Sequence, residues 1–427
     1  MIAKDADTTV ATLPNGVRLV AIRLPHIDTV SVSVFVRTGS RHESARLNGI
    51  SHVVEHMAFK GTDARSARQI NQEAERLGAD VNAHTDKDHT AYHLRGLARD
   101  AAPFVRMLAE IVQQPSFPEA ELELERQVIL QELMEDEDDP VSTAFKLYDR
   151  GCYGKHPIGQ PVIGTRPNIE RFTRDDLLGY VQRQYGGANV VVGIAGNIDP
   201  AALLREAEAA FGAMPAGAPN AVAPPAYIGG YFSRRQAGSS QSHVVLGFPI
   251  PAAREEPQAA IVAAALLGEG MSSPLMRAIR EERALVYYAA CSADIGDLAG
   301  QFVIEASTTP EHLDELFAEA ARLLVGHAER IDIADLQRAR NQLAVRSLRA
   351  QERPFQRLED AALDLFIHGR VRSRAELVER IGAVTARQVR AAFATMLEAG
   401  ATVAVAGRFG RGLNERLAGF VEECRLR

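Results

Sequence analysis

Two stretches of β-branched and apolar residues, Thr29 to Arg37 and Gln241 to Phe248, read as strands, and each is followed by a stretch of helical period. Two further stretches, Asn189-Val-Val-Val-Gly-Ile-Ala-Gly-Asn197 and Ala401-Thr-Val-Ala-Val-Ala-Gly-Arg408, each read as a buried strand entering a turn. Between them, Asn82 to Leu94 and Ala289 to Ser307 read as paired strands that lead into helices from Ala98 and Pro310. The same elements thus recur with a period near half the chain, which predicts a duplicated unit. The expected fold is α+β: two homologous α/β domains, each an antiparallel sheet with helices packed on one face. Ala213-Met-Pro-Ala-Gly-Ala-Pro-Asn-Ala-Val-Ala-Pro-Pro225 has neither period and is rich in Pro, Gly and Ala, so it reads as a linker. The expected boundaries are an N-terminal domain at 1–212, a linker at 213–230 and a C-terminal domain at 231–427.

Composition agrees with two folded domains. The 427 residues are 46% hydrophobic and 24% charged, an ordinary globular balance for a chain too long for one core. A net charge of −7 argues against a nucleic-acid footprint. The three cysteines, Cys152, Cys291 and Cys424, are far apart and form no C-x-x-C pair, so neither a disulfide framework nor a thiolate metal site is expected. The start of the chain lacks the apolar core of a signal peptide, and the longest apolar run, Ala259 to Leu267, is too short to span a membrane. The expectation is a cytoplasmic protein, or a periplasmic or organellar one if a leader has been removed.

The first copy carries eight of the twelve histidines, so chemistry is expected there. Gly49-Ile-Ser-His-Val-Val-Glu-His-Met-Ala-Phe59 places apolar residues at Ile50, Val53, Val54 and Met57, the pattern of a buried helix with Asn48 as its expected N-cap. His52 and His56 are four apart, so both imidazoles stack on one helical face and can reach one metal ion. Glu55 lies where a carboxylate can take a proton from a metal-activated water. Two histidines leave a catalytic zinc short of a third protein ligand, which without a suitable cysteine should be a carboxylate or another histidine. The helical segment Glu121 to Glu135 offers carboxylates, with Leu124, Val128, Leu130 and Leu133 as its expected apolar stripe. Glu125 and Glu132 are seven apart and share a face, yet composition alone reads them as a solvated face and does not choose between them.

The run Gly49 to Thr62, with its H-x-x-E-H core, resembles the signature of the pitrilysin and insulinase family of zinc peptidases, which includes mitochondrial processing peptidase. The resemblance spans nearly the whole chain, from Thr12-Leu-Pro-Asn-Gly-Val-Arg-Leu19 to His156-Pro-Ile-Gly-Gln-Pro-Val-Ile-Gly-Thr165 and beyond. In that family the third ligand lies in an E-R-x-x-[VI]-x-x-E helix. Glu125-Arg-Gln-Val-Ile-Leu-Gln-Glu132 fits, which implies Glu132 as ligand and Glu125 as its supporting carboxylate. Gly78 to Thr85 resembles the edge strand that receives substrate, implying peptide contacts along Asn82, Ala83, His84 and Thr85. Leu275 to Tyr287 resembles the stretch that supplies an arginine and a tyrosine to the reaction, implying that Arg280 and Tyr287 steady the oxyanion. Departures from the family pattern fall at Ala284, where glycine is usual, and at Glu269 and Pro274.

The resemblance implies a zinc metalloendopeptidase with one Zn2+ per subunit, acting on peptides or unfolded polypeptides inside a chamber built from two chains. The expected partner is a second copy of this chain or a homologous subunit, with no nucleic acid and no membrane. The competing readings are a non-catalytic structural subunit of the respiratory-complex core type, against which the intact His52, Glu55, His56 and Glu132 argue, and one subunit of a heterodimeric peptidase.

Overall fold

The computed structural model describes residues 3–4 and 7–424. The chain forms two compact units, each built around one sheet. The first unit holds seven strands: β1 (Ala3–Lys4), β2 (Thr8–Thr12), β3 (Arg18–Arg23), β4 (Thr29–Val36), β5 (Asp80–Thr85), β6 (Thr90–Leu97) and β7 (Val190–Gly196). Their spatial order is β1-β2-β3-β7-β4-β6-β5, which leaves β5 at one edge. The second unit holds β8 (Gly230–Arg235), β9 (Ser242–Ile250), β10 (Val286–Ile295), β11 (Gly300–Thr308) and β12 (Thr402–Gly407), in the order β10-β11-β9-β12-β8.

Strand for strand, β8 to β12 repeat the order of β3 to β7, so the expected duplication and α+β class hold. Each sheet is antiparallel except for one parallel pair, β3 with β7 and β8 with β12. Helices cover both faces of each sheet rather than one. In the first unit Val30, Val32, Val34 and Val36 of β4 and Val190, Val192 and Ile194 of β7 face a large helical layer, joined there by Phe104, Leu108 and Val112 of the helix Ala101–Gln113. The alternate positions carry Ser31, Ser33, Phe35, Val191, Gly193 and Ala195 and face a single helix, Pro354–His368, through Leu358, Ala361, Ala362 and Leu365. A Cβ on Gly193 would stand 3.0 Å from Leu358 Cδ2, so the small residue sets how close the helix lies.

The second unit is built the same way. Val403 and Val405 of β12 face its large helical layer, while Ala404 and Ala406 face the helix Pro140–Tyr153 through Ala144, Tyr148 and Cys152. The compact units therefore depart from sequence-continuous halves at two segments. Residues 134–159 belong to the second unit and residues 349–373 to the first. The physical reason is burial: β4 and β7 are buried on both faces, and a sheet buried on both faces needs two layers of helix. Residues 215–229 contain no helix or strand. They are nonetheless hydrogen-bonded, Asn220 Nδ2 to the Arg37 and Gln184 carbonyls and the Ile228 amide to the Cys152 carbonyl. Among the described residues no helix is long and apolar enough to cross a membrane.

Residues 1–212 expressed alone would leave Val20, Phe35 and Val191 without the helix that covers them. This fragment is expected to aggregate or bind an apolar dye, and a peptide spanning 349–373 added during refolding should suppress both. In the full chain, Leu358→Ala should cost ~2–5 kcal/mol, read as a shift in the denaturant midpoint.

Candidate metal centre

The helix Ile50–Ala58 begins at Gly49, not at the expected Asn48. Gly49 has φ +98°, and a Cβ there would lie 2.8 Å from the Gly164 Cα, so both the backbone conformation and the close approach require glycine. The capping oxygens come from a residue outside the motif. The buried Glu43 carboxylate accepts hydrogen bonds from the Gly49 amide (2.8 Å), the Ser51 amide (2.8 Å) and Asn48 Nδ2 (3.1 Å). Burial pushes its carboxyl upward, and the three residues that donate to it pull the other way. Ser51 is held again by the Tyr180 hydroxyl at 2.7 Å, which also meets Thr38 at 2.7 Å. Val53, Val54 and Met57 bury the other face of the helix in the core.

His52 and His56 project together from this helix, their Nε2 atoms 3.2 Å apart. Glu132 Oε2 lies 3.4 Å from His56 Nε2 and 3.7 Å from His52 Nε2. Three ligands at about 2.0–2.1 Å from a tetrahedral ion stand about 3.3 Å apart, so this triangle fits Zn2+. Desolvation, helped by the nearby His56, lowers the His52 imidazole to about 4, which leaves it neutral and able to donate a lone pair to a metal.

Glu125 fills the supporting role. Its Oε2 lies 3.1 Å from His56 Nδ1, an arrangement that orients the ring and leaves Nε2 facing the centre. Its other oxygen accepts from Lys60 Nζ. The helix Glu119–Asp138 that carries both carboxylates buries Leu122, Glu125, Ile129 and Leu133. The stripe expected from Leu124 and Val128 is wrong, since both are exposed. The i, i+3, i+7, i+11 row from Leu122 faces the core instead, and Glu125 can sit in it because His56 and Lys60 satisfy its oxygens.

Glu55 is half-buried, and burial raises its carboxyl above the usual range; a hydrogen bond with the Thr85 hydroxyl and the charges of His56 and His84 act against this, while Glu132 adds to it. Thr85 and the partly buried Ala83 thus face the helical layer. Strand alternation turns Asn82 and His84 to the other face, where His84 Nε2 lies 3.1 Å from Glu359 Oε1 of the helix Pro354–His368. The β5 backbone pairs with β6 on one side and is the free edge on the other.

Arg280 and Tyr287 lie in the second unit and stack on each other, the guanidinium 5.7 Å from the ring centre. Tyr287 is 83% exposed because it is the extra residue of a bulge where β10 meets β11, which turns the ring out of the pleat. Ala284, where the resemblance leads one to expect glycine, has φ +51°, so the local backbone retains the shape glycine favours. Glu43, Lys60 and Tyr180 were not singled out from sequence. They carry no spacing signal, since their partners on the metal helix and on Glu125 lie up to 129 positions away.

Two family models match the chain. A family model described as insulinase (peptidase family M16) matches residues 18–166, and one described as the peptidase M16 inactive domain matches residues 171–343. An uncharacterized zinc protease of Rickettsia bellii is 32% identical over 400 residues, covering 93% of this chain and 97% of that protein. One from Bacillus subtilis is 30% identical, covering 88% and 93%. Among solved structures, a protease from Helicobacter pylori superposes with a TM-score of 0.85 at 21% identity, over 96% of this chain and all of that one.

Removing the charge that orients His56 is expected to weaken the centre without abolishing it. Glu125→Gln should lower zinc affinity by ~10–100-fold in competition with a chromophoric chelator. Glu123→Gln, on the exposed side of the same helix, should leave it unchanged.

Proposed function

From the premise that this chain belongs to the insulinase family, peptidase family M16, we propose that it is a zinc metalloendopeptidase that hydrolyses peptides or unfolded polypeptides. The observation that carries this reading is the three-donor triangle of His52, His56 and Glu132 with Glu55 on the same helix. Zinc held there supplies Lewis acidity toward a peptide carbonyl and makes a water acidic enough to deprotonate near neutral pH. Glu55 accepts that water's proton and returns it to the leaving amine, a role its raised carboxyl suits.

Substrate lies along β5 as an added strand. The free edge from Asn82 to Thr85 offers main-chain donors and acceptors, which favours extended chains over folded ones. Arg280 and Tyr287 steady the oxyanion through a guanidinium and a phenol. They reach the zinc residues of a second subunit, so that two chains form the chamber and complete each other's sites. The exposure of Tyr287 and its stacking on Arg280 support this, since the pair is presented outward from its own unit.

Glu132→Gln is expected to lose the zinc equivalent of this site. Glu55→Gln should keep it while cleavage of a peptide mixture falls by ~10²–10⁴-fold. A wild-type chain that holds zinc here yet cleaves nothing in that mixture would instead be the non-catalytic subunit.

The pairing is tested by mixing two inactive chains. Tyr287→Phe should lose ~10²–10³-fold in rate. Co-refolded with Glu55→Gln, it should regain activity, because one site of the mixed dimer then contains both Glu55 and Tyr287. Mixed dimers proven by mass that stay as inactive as their parents would refute completion by a partner.

A further inference from the structure

A second group of donors in the first unit repeats the geometry of the first. His84 Nε2 and His89 Nε2 are 3.2 Å apart, and Glu359 Oε1 lies 3.1 Å from the former and 3.7 Å from the latter. The corresponding separations at His52, His56 and Glu132 are 3.2, 3.4 and 3.7 Å. Three atoms at such distances converge on one point at metal–ligand range.

The supporting contacts match as well. His89 Nδ1 lies 2.9 Å from Asp86 Oδ2, an ion-pair contact, as His56 Nδ1 lies 3.1 Å from Glu125, so a carboxylate stands beside the ring in each case. Asp86 is itself fixed, its Oδ1 accepting from the Asp88 and His89 amides at 2.6 Å each. Glu359 Oε2 accepts from Gln356 Nε2 at 3.0 Å, which leaves Oε1 to face the two imidazoles. The His84 ring is confined by His93 and Phe355, with centroids 5.3 and 6.1 Å away. His89 is buried and His84 is one-third exposed, so the cluster is enclosed on one side and open to solvent on the other.

We propose that His84, His89 and Glu359 form a second binding site for a divalent cation of the zinc class, separate from the centre at His52, His56 and Glu132. Two imidazoles and one carboxylate suit a borderline ion such as Zn2+, with a water as the fourth ligand, and are a poor set for Ca2+ or Mg2+. The ion ties the turn between β5 and β6 to the helix Pro354–His368. It therefore holds the edge strand from the face opposite Thr85 and Glu55, and its role is to fix the strand rather than to act on substrate.

The test counts metal rather than activity. Metal-free full-length chain is titrated with Zn2+ by calorimetry and, independently, with Co2+ followed by its visible absorption, fold being checked by circular dichroism. Wild type should take two equivalents, Glu359→Gln one and Glu132→Gln one, and the double variant none. His84→Ala provides a second route to the one-equivalent result should Glu359→Gln misfold. One equivalent in wild type with no loss in Glu359→Gln or His84→Ala would overturn the proposal and leave the cluster as an imidazole–carboxylate ion pair. So would two equivalents that persist in both variants, or failure of well-folded Glu132→Gln to bind any.

Discussion

The helix that carries His52 and His56 starts against a buried carboxyl group, Glu43, and the geometry of the candidate metal centre depends on that contact. Three residues donate to Glu43: Asn48, Gly49 and Ser51. Amides at a helix start carry partial positive charge, and a carboxylate placed there both satisfies them and fixes the helix along its axis. At the far end Glu125 bonds His56 and is held by Lys60. Two carboxylates thus set the two imidazoles in position, and a displacement of well under 1 Å at either would spoil a triangle whose sides are 3.2 to 3.7 Å.

That helix in turn rests on a sheet that is buried on both faces. On one face β4 presents Val30, Val32, Val34 and Val36, and on the other Ser31, Ser33 and Phe35. Valines face the thick helical layer, while Ser31, Ser33 and Gly193 let a single helix pack closely on the other side. The second unit repeats this with Val403 and Val405 against Ala404 and Ala406. In both units the closing helix comes from the other half of the sequence, so neither half buries its own sheet.

The two copies have kept one topology and diverged at their edges. The edge strand β5 carries Thr85 beside Glu55 and His84 on its opposite face, whereas its counterpart β10 carries a bulge that turns Tyr287 outward beside Arg280. Edges tolerate such change because one side of the strand has no partner whose register must be preserved. Ala284 shows the limit of that tolerance: the side chain differs from the family pattern, but its backbone stays at φ +51°.

Contacts within one element were legible from residue spacing. The four-residue step from His52 to His56 places two imidazoles on one face of a helix whatever surrounds it, and the recurrence of strand patterns was enough to show the duplication. Spacing left Glu125 and Glu132 equivalent, since both lie on one face of the same helix. The family pattern distinguished them as an expected ligand and an expected supporting carboxylate, and the packing then set Glu132 Oε2 near both Nε2 atoms and Glu125 at His56 Nδ1. The expected stripe through Leu124 and Val128 failed for the same reason, because periodicity shows that a helix has faces but not which of them a neighbour will cover. Glu43 reaches back over the loop that precedes the helix, Lys60 and Glu359 act across tens to hundreds of residues, and the two closing helices are exchanged between halves. Such pairings are set by how surfaces fit once the chain has collapsed, so only the tertiary structure decided them.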